Sequence, residues 1–141
     1  MVLLEDSPPF LLTHNPAHAC LYASWRGPHT GEVTRRHYAQ ILHHAHATQS
    51  TKLLNDAGLD ENGWSEIVGW LAEEYFLQLA KAGIQAIAWV LPSNPQAFCD
   101  TYQVLKRLQQ PLVDTFADAE AAYRWLHCPV VAGHAAPTKR A

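Results

Sequence analysis

The sequence predicts an α/β fold in one domain, and three observations carry that expectation. Short apolar runs of strand length alternate with longer segments of helical period along most of the chain. The first two strand-like runs are close enough to form a hairpin, so one strand should run against the others, at the sheet edge or beside it. A chain of 141 residues with 48% hydrophobic and 16% charged residues supports a core without disulfides or metal staples.

Phe10 to His14 is a candidate first strand, and Asn15-Pro16 is a turn signal. Ala19 to Trp25 is a second strand, ended by Arg26-Gly27-Pro28. Thr30 or Thr34 caps a helix running to about Thr48. Lys52 to Asn55 is a third, buried strand, after which Asp60 is expected to cap a long helix from Glu61 to Lys81. Ile84 to Leu91 is the fourth strand, closed by Pro92. Ser93 or Asn94 caps the next helix, with Pro95 in its first turn. Leu112 to Phe116 is the fifth strand, and Asp118 caps a last helix over Ala119 to Leu126. Leu53, Ile87, Val90 and Val113 are expected in central or near-central strands. The domain should span 8–128. The opening seven residues lack a clear period, and 129–141 (PVVAGHAAPTKRA) should be a flexible C-terminal tail.

Several function classes are disfavoured. The net charge is −3 and no run of Lys and Arg exceeds two residues, as at Arg35-Arg36, Lys106-Arg107 and Lys139-Arg140, which argues against nucleic acid. No apolar run reaches the ~20 residues of a membrane helix, and the MVLLEDSPPFLL start lacks the pattern of a signal peptide. Cys20, Cys99 and Cys128 are widely spaced without a CxxC pair, which fits reduced thiols and a cytoplasmic setting. Glycine-rich phosphate loops, GxSxG and HExxH are all absent, so no catalytic residue, cofactor or metal is expected.

The segments LYASWRG, LLND, LAKAG leading into IAWVLP, and DTFADAEAAYRWL resemble the bacterial STAS/SEC14-like proteins, relatives of anti-sigma-factor antagonists, over about Leu11 to Leu126. The resemblance implies a STAS-like mixed sheet of four or five strands with helices mainly on one face. It implies a regulatory, protein-interacting role, or lipid binding on the SEC14 side. The phosphorylatable hydroxyl those regulators carry after the third strand is missing here, where the stretch is Asn55-Asp56-Ala57-Gly58-Leu59-Asp60.

Four of the nine histidines fall in His37 to His46. At helical spacing His37 and His44 share one flank and His43 and His46 another, so no three converge as a tight zinc site requires. Asp56, Asp60 and Glu61 follow a strand end, where acid–base work is conceivable in principle, but an Asx turn at Asp56 and a cap at Asp60 are the ordinary roles. On the long helix Trp64, Ile67, Val68, Leu71, Tyr75, Leu79 and Ala82 form a core stripe, while Trp70 and Leu77, seven residues apart, point the other way. They are the expected partner-binding pair, with Phe76 on the flank, for a protein partner or a second copy in a homodimer. Trp25 and Trp89 are expected on the sheet face away from the helices. The alternative is a pocket for a small apolar ligand near Trp25, Trp64, Trp89 and Asp56.

Overall fold

The computed structural model describes residues 1–128, so the expected tail over 129–141 lies outside the described residues. Six strands form one mixed sheet in sequence order: β1 (Val2–Ser7), β2 (Phe10–Asn15), β3 (Cys20–Gly27), β4 (Lys52–Asp60), β5 (Ala86–Val90) and β6 (Leu112–Phe116). β1, β2 and β3 pair antiparallel, and β3 to β6 pair parallel. Only β2, one place in from the edge, runs against the rest, as the hairpin implied.

The sheet has six strands where four or five were expected, because the opening residues are a strand and not a loose end. The local signal at Val2–Ser7 is weakened by Glu5, Asp6 and the prolines after them. Tertiary contacts compensate. Glu5 accepts hydrogen bonds from Gln40 Nε2 at 3.1 Å and His44 Nε2 at 2.8 Å, and Leu4 packs on the core. At the opposite edge, Val113 lies on β6, so it is peripheral and not central. There the Thr115 N–H is taken by the Asp114 carboxylate at 2.9 Å.

Four helices pack on the sheet: α1 (Gly31–Thr48), α2 (residues 65–81), α3 (Pro95–Leu105) and α4 (Ala119–Leu126). The caps are those the sequence suggests: Thr30 for α1, Asn94 with Pro95 for α3, and Asp118 for α4. Each crossover from β3 to β6 steps one strand in the same direction. Crossovers of one hand that all step one way lie on one face. The main core accordingly sits between that face and α1, α2 and α3, and includes Phe10, Leu21, Tyr38, Ile41, Leu53, Leu71, Phe76, Ile87 and Val104. Three of four helices therefore share a face. The last, α4, turns back beneath β4–β6 and buries Ala122 and Leu126 against Leu54, Ala86, Ala88 and Val90.

Two departures from the expected helix α2 matter. β4 runs on to Asp60, so Asp60 ends a strand instead of capping a helix, and α2 starts only at Ser65. The α2 helix also contains a π-turn over Leu71–Tyr75 between a short α-helical turn and Phe76–Lys81. One extra residue in a turn rotates the rest of the helix by about 100°. Tyr75 and Phe76 are thus both fully buried, although a uniform helix would put Phe76 on the flank.

The π-turn makes a direct prediction. Phe76→Ala should lower stability by about 3–5 kcal/mol, and Leu77→Ala by less than about 1 kcal/mol. Urea denaturation checks both, and similar losses at the two positions would contradict the assigned register.

Candidate functional site

Parallel α/β sheets usually bind ligands outside the strand C-termini, where strand order reverses and a crevice opens. Here the order never reverses, and the corresponding loops are knitted shut. His29, in the loop after β3, places Nε2 2.7 Å from Asp60 Oδ1 and Nδ1 against the Thr34 hydroxyl, with both ring and carboxylate almost wholly buried. The Thr34 hydroxyl in turn donates to Thr30 O at 2.8 Å. Asn62 accepts from the His29 N–H at 2.8 Å and donates to the His29 carbonyl. Asp100 on α3 accepts from the Trp64 N–H at 2.7 Å, Ser65 Oγ at 2.8 Å and Gln96 Nε2 at 2.9 Å, which fixes the start of α2. A Cβ on Gly63 would lie 2.6 Å from Asp100 Oδ2, so this close approach requires glycine. Burial raises the Asp60 carboxyl above its usual range, partly opposed by the bond to His29. These groups have their partners inside the fold and hold loops together.

The three tryptophans of the expected pocket are core residues: Trp25 is 1%, Trp64 2% and Trp89 0% exposed. Trp25 and Trp89 face the helices and not the opposite side, because Trp25 packs on Tyr38 of α1 and Trp89 on Phe76 of α2. Trp25 Nε1 donates to Asn55 Oδ1 at 2.7 Å, and Asn55 Nδ2 donates to the Tyr38 hydroxyl at 3.2 Å. The Trp89 indole N–H is buried without an acceptor. Asp56 alternates with Asn55 along β4 and so lies on the other side of the sheet. Its carboxylate accepts from the Gly58 N–H at 3.0 Å, the expected Asx turn. The structure therefore does not bring Asp56 and the tryptophans into one pocket.

Trp70 and Leu77 do not form one outward patch either, for the same reason as Phe76: the π-turn separates them. Trp70 is half-buried against the core, with the Arg35 guanidinium 4.3 Å from its ring centroid and Tyr75 5.1 Å away. Leu77 is 39% exposed beside Arg107 and Leu108 in a shallow cleft. Exposed aromatics that sequence reasoning missed, Phe98 and Tyr102, sit one turn apart on α3. Of the histidines on α1, His37 bonds Gln40 and His44 bonds Glu5, while His43 and His46 are exposed. Among the described residues no three metal-ligating side chains converge.

The second sheet face is different. α4 covers β4–β6 and reaches Cys20 and Tyr22 on β3, leaving β1, β2 and the rest of β3 uncovered beside it among the described residues. Strand register aligns two rows of side chains there: Asp6, Leu11, Ser24 and Asp56 in one, and Leu3, Thr13, Tyr22 and Leu54 in the next. A groove of about 370 Å³ runs between these rows and α4, with Met1, Leu11, Tyr22, Leu54 and Tyr123 as its apolar lining and Asp56 and Glu120 at one end. At the other end the Tyr22 hydroxyl meets His127 Nε2 at 2.9 Å, the His18 ring lies tilted against His127 at 4.3 Å, and burial, then the nearby His18 and Lys52, lower the His127 pKa. The Cys20 thiol in the same layer is buried and pushed up to about 12, so it is no nucleophile at neutral pH.

The fold and groove define an α/β domain wound on one face, with part of its second face uncovered among the described residues. No family model, curated protein or solved structure matches the chain. No helix among the described residues is long and apolar enough to cross a membrane.

The raised Asp60 carboxyl gives a pH prediction. The folded state holds its proton more tightly than the unfolded state, so this group's contribution to stability declines as pH rises from the ordinary 3.8 through the raised folded value. Asp60→Asn removes that slope, and wild type should lose ground to the variant across the window. Urea midpoints measured from acid to neutral pH check it; a constant difference would exclude Asp60 as the titrating group.

Proposed function

We propose that this chain is a non-catalytic protein-interaction or regulatory module that docks through the apolar groove on its second sheet face. The single observation that carries the reading is the uncovered part of that face, where Leu11, Tyr22 and Tyr123 line a groove that the helices among the described residues leave unfilled. An apolar groove of this kind, rimmed by polar groups, is a typical contact surface. The buried state of His29, Asp60 and Asp100 and their saturated hydrogen bonding support the non-catalytic part. The sequence resemblance to STAS/SEC14-like regulators agrees with the role, and the missing hydroxyl after β4's first residues favours docking without a phospho-switch. The partner is a protein, and the unpaired cysteines fit a cytoplasmic setting.

The alternative is a small apolar ligand or lipid held in the same groove, since the tryptophan core has no room for one. Native mass spectrometry of freshly purified protein distinguishes the two, because a retained ligand adds a defined mass and a second copy doubles the whole.

Leu11→Asp should abolish enhancement of an environment-sensitive apolar dye while shifting the melting temperature little, as Leu11 is only half-buried. Trp70→Ala should instead lower stability by about 1–3 kcal/mol and leave dye binding intact. Dye binding lost in Trp70→Ala and kept in Leu11→Asp would move the docking surface to α2.

A further inference from the structure

Among the described residues the uncovered part of the second sheet face has the width of one helix. β1, β2 and the open part of β3, at about 4.8 Å spacing, offer roughly 10–14 Å, and neighbouring helices pack about 8–10 Å apart. α4 already occupies the adjacent place on the same face and supplies a side wall through Tyr123 and Ala119. A strand in this position would have no neighbour for its backbone groups, whereas a helix satisfies its own. The floor is apolar in the middle, at Leu11 and Tyr22. One end is acidic, with Asp56 and Glu120 in the groove and Asp6 in line with Leu11 and Ser24 across the strands. The acids' local partners are weak. Glu120 pairs with Arg124 at 3.1 Å between two largely exposed side chains, and Asp6 lies 3.7 Å from Arg26. Both pairs can be exchanged for a partner's cation. Lys52 lies at the opposite end, four residues along the strand and about 13 Å away.

We infer that the groove takes an amphipathic helix of a protein partner, laid beside α4, whose apolar stripe covers Leu11 and Tyr22 and whose Lys or Arg side chains meet Asp56 and Glu120. This inference rests on the docking reading above and deepens it by naming the partner's chemistry. Apolar contact gives the affinity, and the acidic end selects a basic helix over an acidic one.

The test uses the full chain and three fluorescein-labelled peptides of about 18 residues, five turns of helix, with one pattern of leucines and with Lys, Gln or Glu at the polar positions. Fluorescence anisotropy should show the Leu/Lys peptide binding at least about tenfold more tightly than the Leu/Glu peptide. Asp56→Lys with Glu120→Lys should remove that preference. Glu73→Lys with Glu74→Lys, an equal charge change on α2, should keep it and so exclude general attraction to an acidic protein. Leu11→Asp should abolish binding of all three. Leu11-dependent binding of all three peptides with equal affinity would overturn the inference and leave the docking reading standing. Absence of any Leu11-dependent binding would overturn both. A concentration-dependent dimer in sedimentation velocity that Leu11→Asp dissociates would also overturn the inference, with a second copy as the occupant.

Discussion

The architecture depends on one constraint: from β3 to β6 the chain always steps to the next place in the same direction. With one hand of crossover, that progression commits α1, α2 and α3 to one face. It also removes the strand-order reversal that gives many α/β proteins their ligand crevice. Among the described residues the remaining face has the short α4, whose eight residues leave part of it uncovered. The groove is thus a consequence of winding and not a local irregularity, and its apolar floor is the pleat's alternate residues on β2, β3 and β4.

The helical side is held by polar groups as well as by packing. Asn55, buried on β4, accepts a hydrogen bond from the Trp25 indole N–H and donates to the Tyr38 hydroxyl, so one amide connects two strands and α1. His29 and Asp60 do the same between the loop after β3 and the end of β4, and Asp100 between α3 and the start of α2. A buried hydrogen bond of this kind contributes only about 1 kcal/mol net, but an orphaned partner is much more expensive, so such groups fix the arrangement more than they deepen it. The arrangement leaves the loops after β3 and β4 closed, with the Asp60 and Asp100 carboxylates turned inward.

Much of the fold was legible because its signals are local. The caps at Thr30, Asn94 and Asp118, the hairpin around Asn15-Pro16 and the Asx turn at Asp56 each need only neighbouring residues. What escaped required partners distant in sequence. β1 reads as a loose acidic end until Gln40 and His44 engage Glu5. Asp60 reads as a helix cap until His29 covers it. Trp25 and Trp89 show by alternation that they share a face with Leu21 and Ile87, but alternation does not say which face receives the helices. Of the candidate site, Asp56 was found from its position after a strand, whereas Leu11, Tyr22 and Tyr123 gave no signal, since half-buried strand and helix residues look alike before α4 is placed.

The π-turn in α2 makes the number of residues in that helix a structural quantity in its own right. Helices generally accept substitution better than changes of length, and here the irregular length is the native one. Excising a single residue between Leu71 and Tyr75 would yield a more regular helix and a worse protein, because Phe76 and Leu79 would turn away from Trp89 and the sheet. Relatives of this chain are therefore expected to differ freely in the loops around α2 while keeping the residue count from Ile67 to Leu79 constant, and an alignment gap inside that interval would mark a chain with a differently packed core.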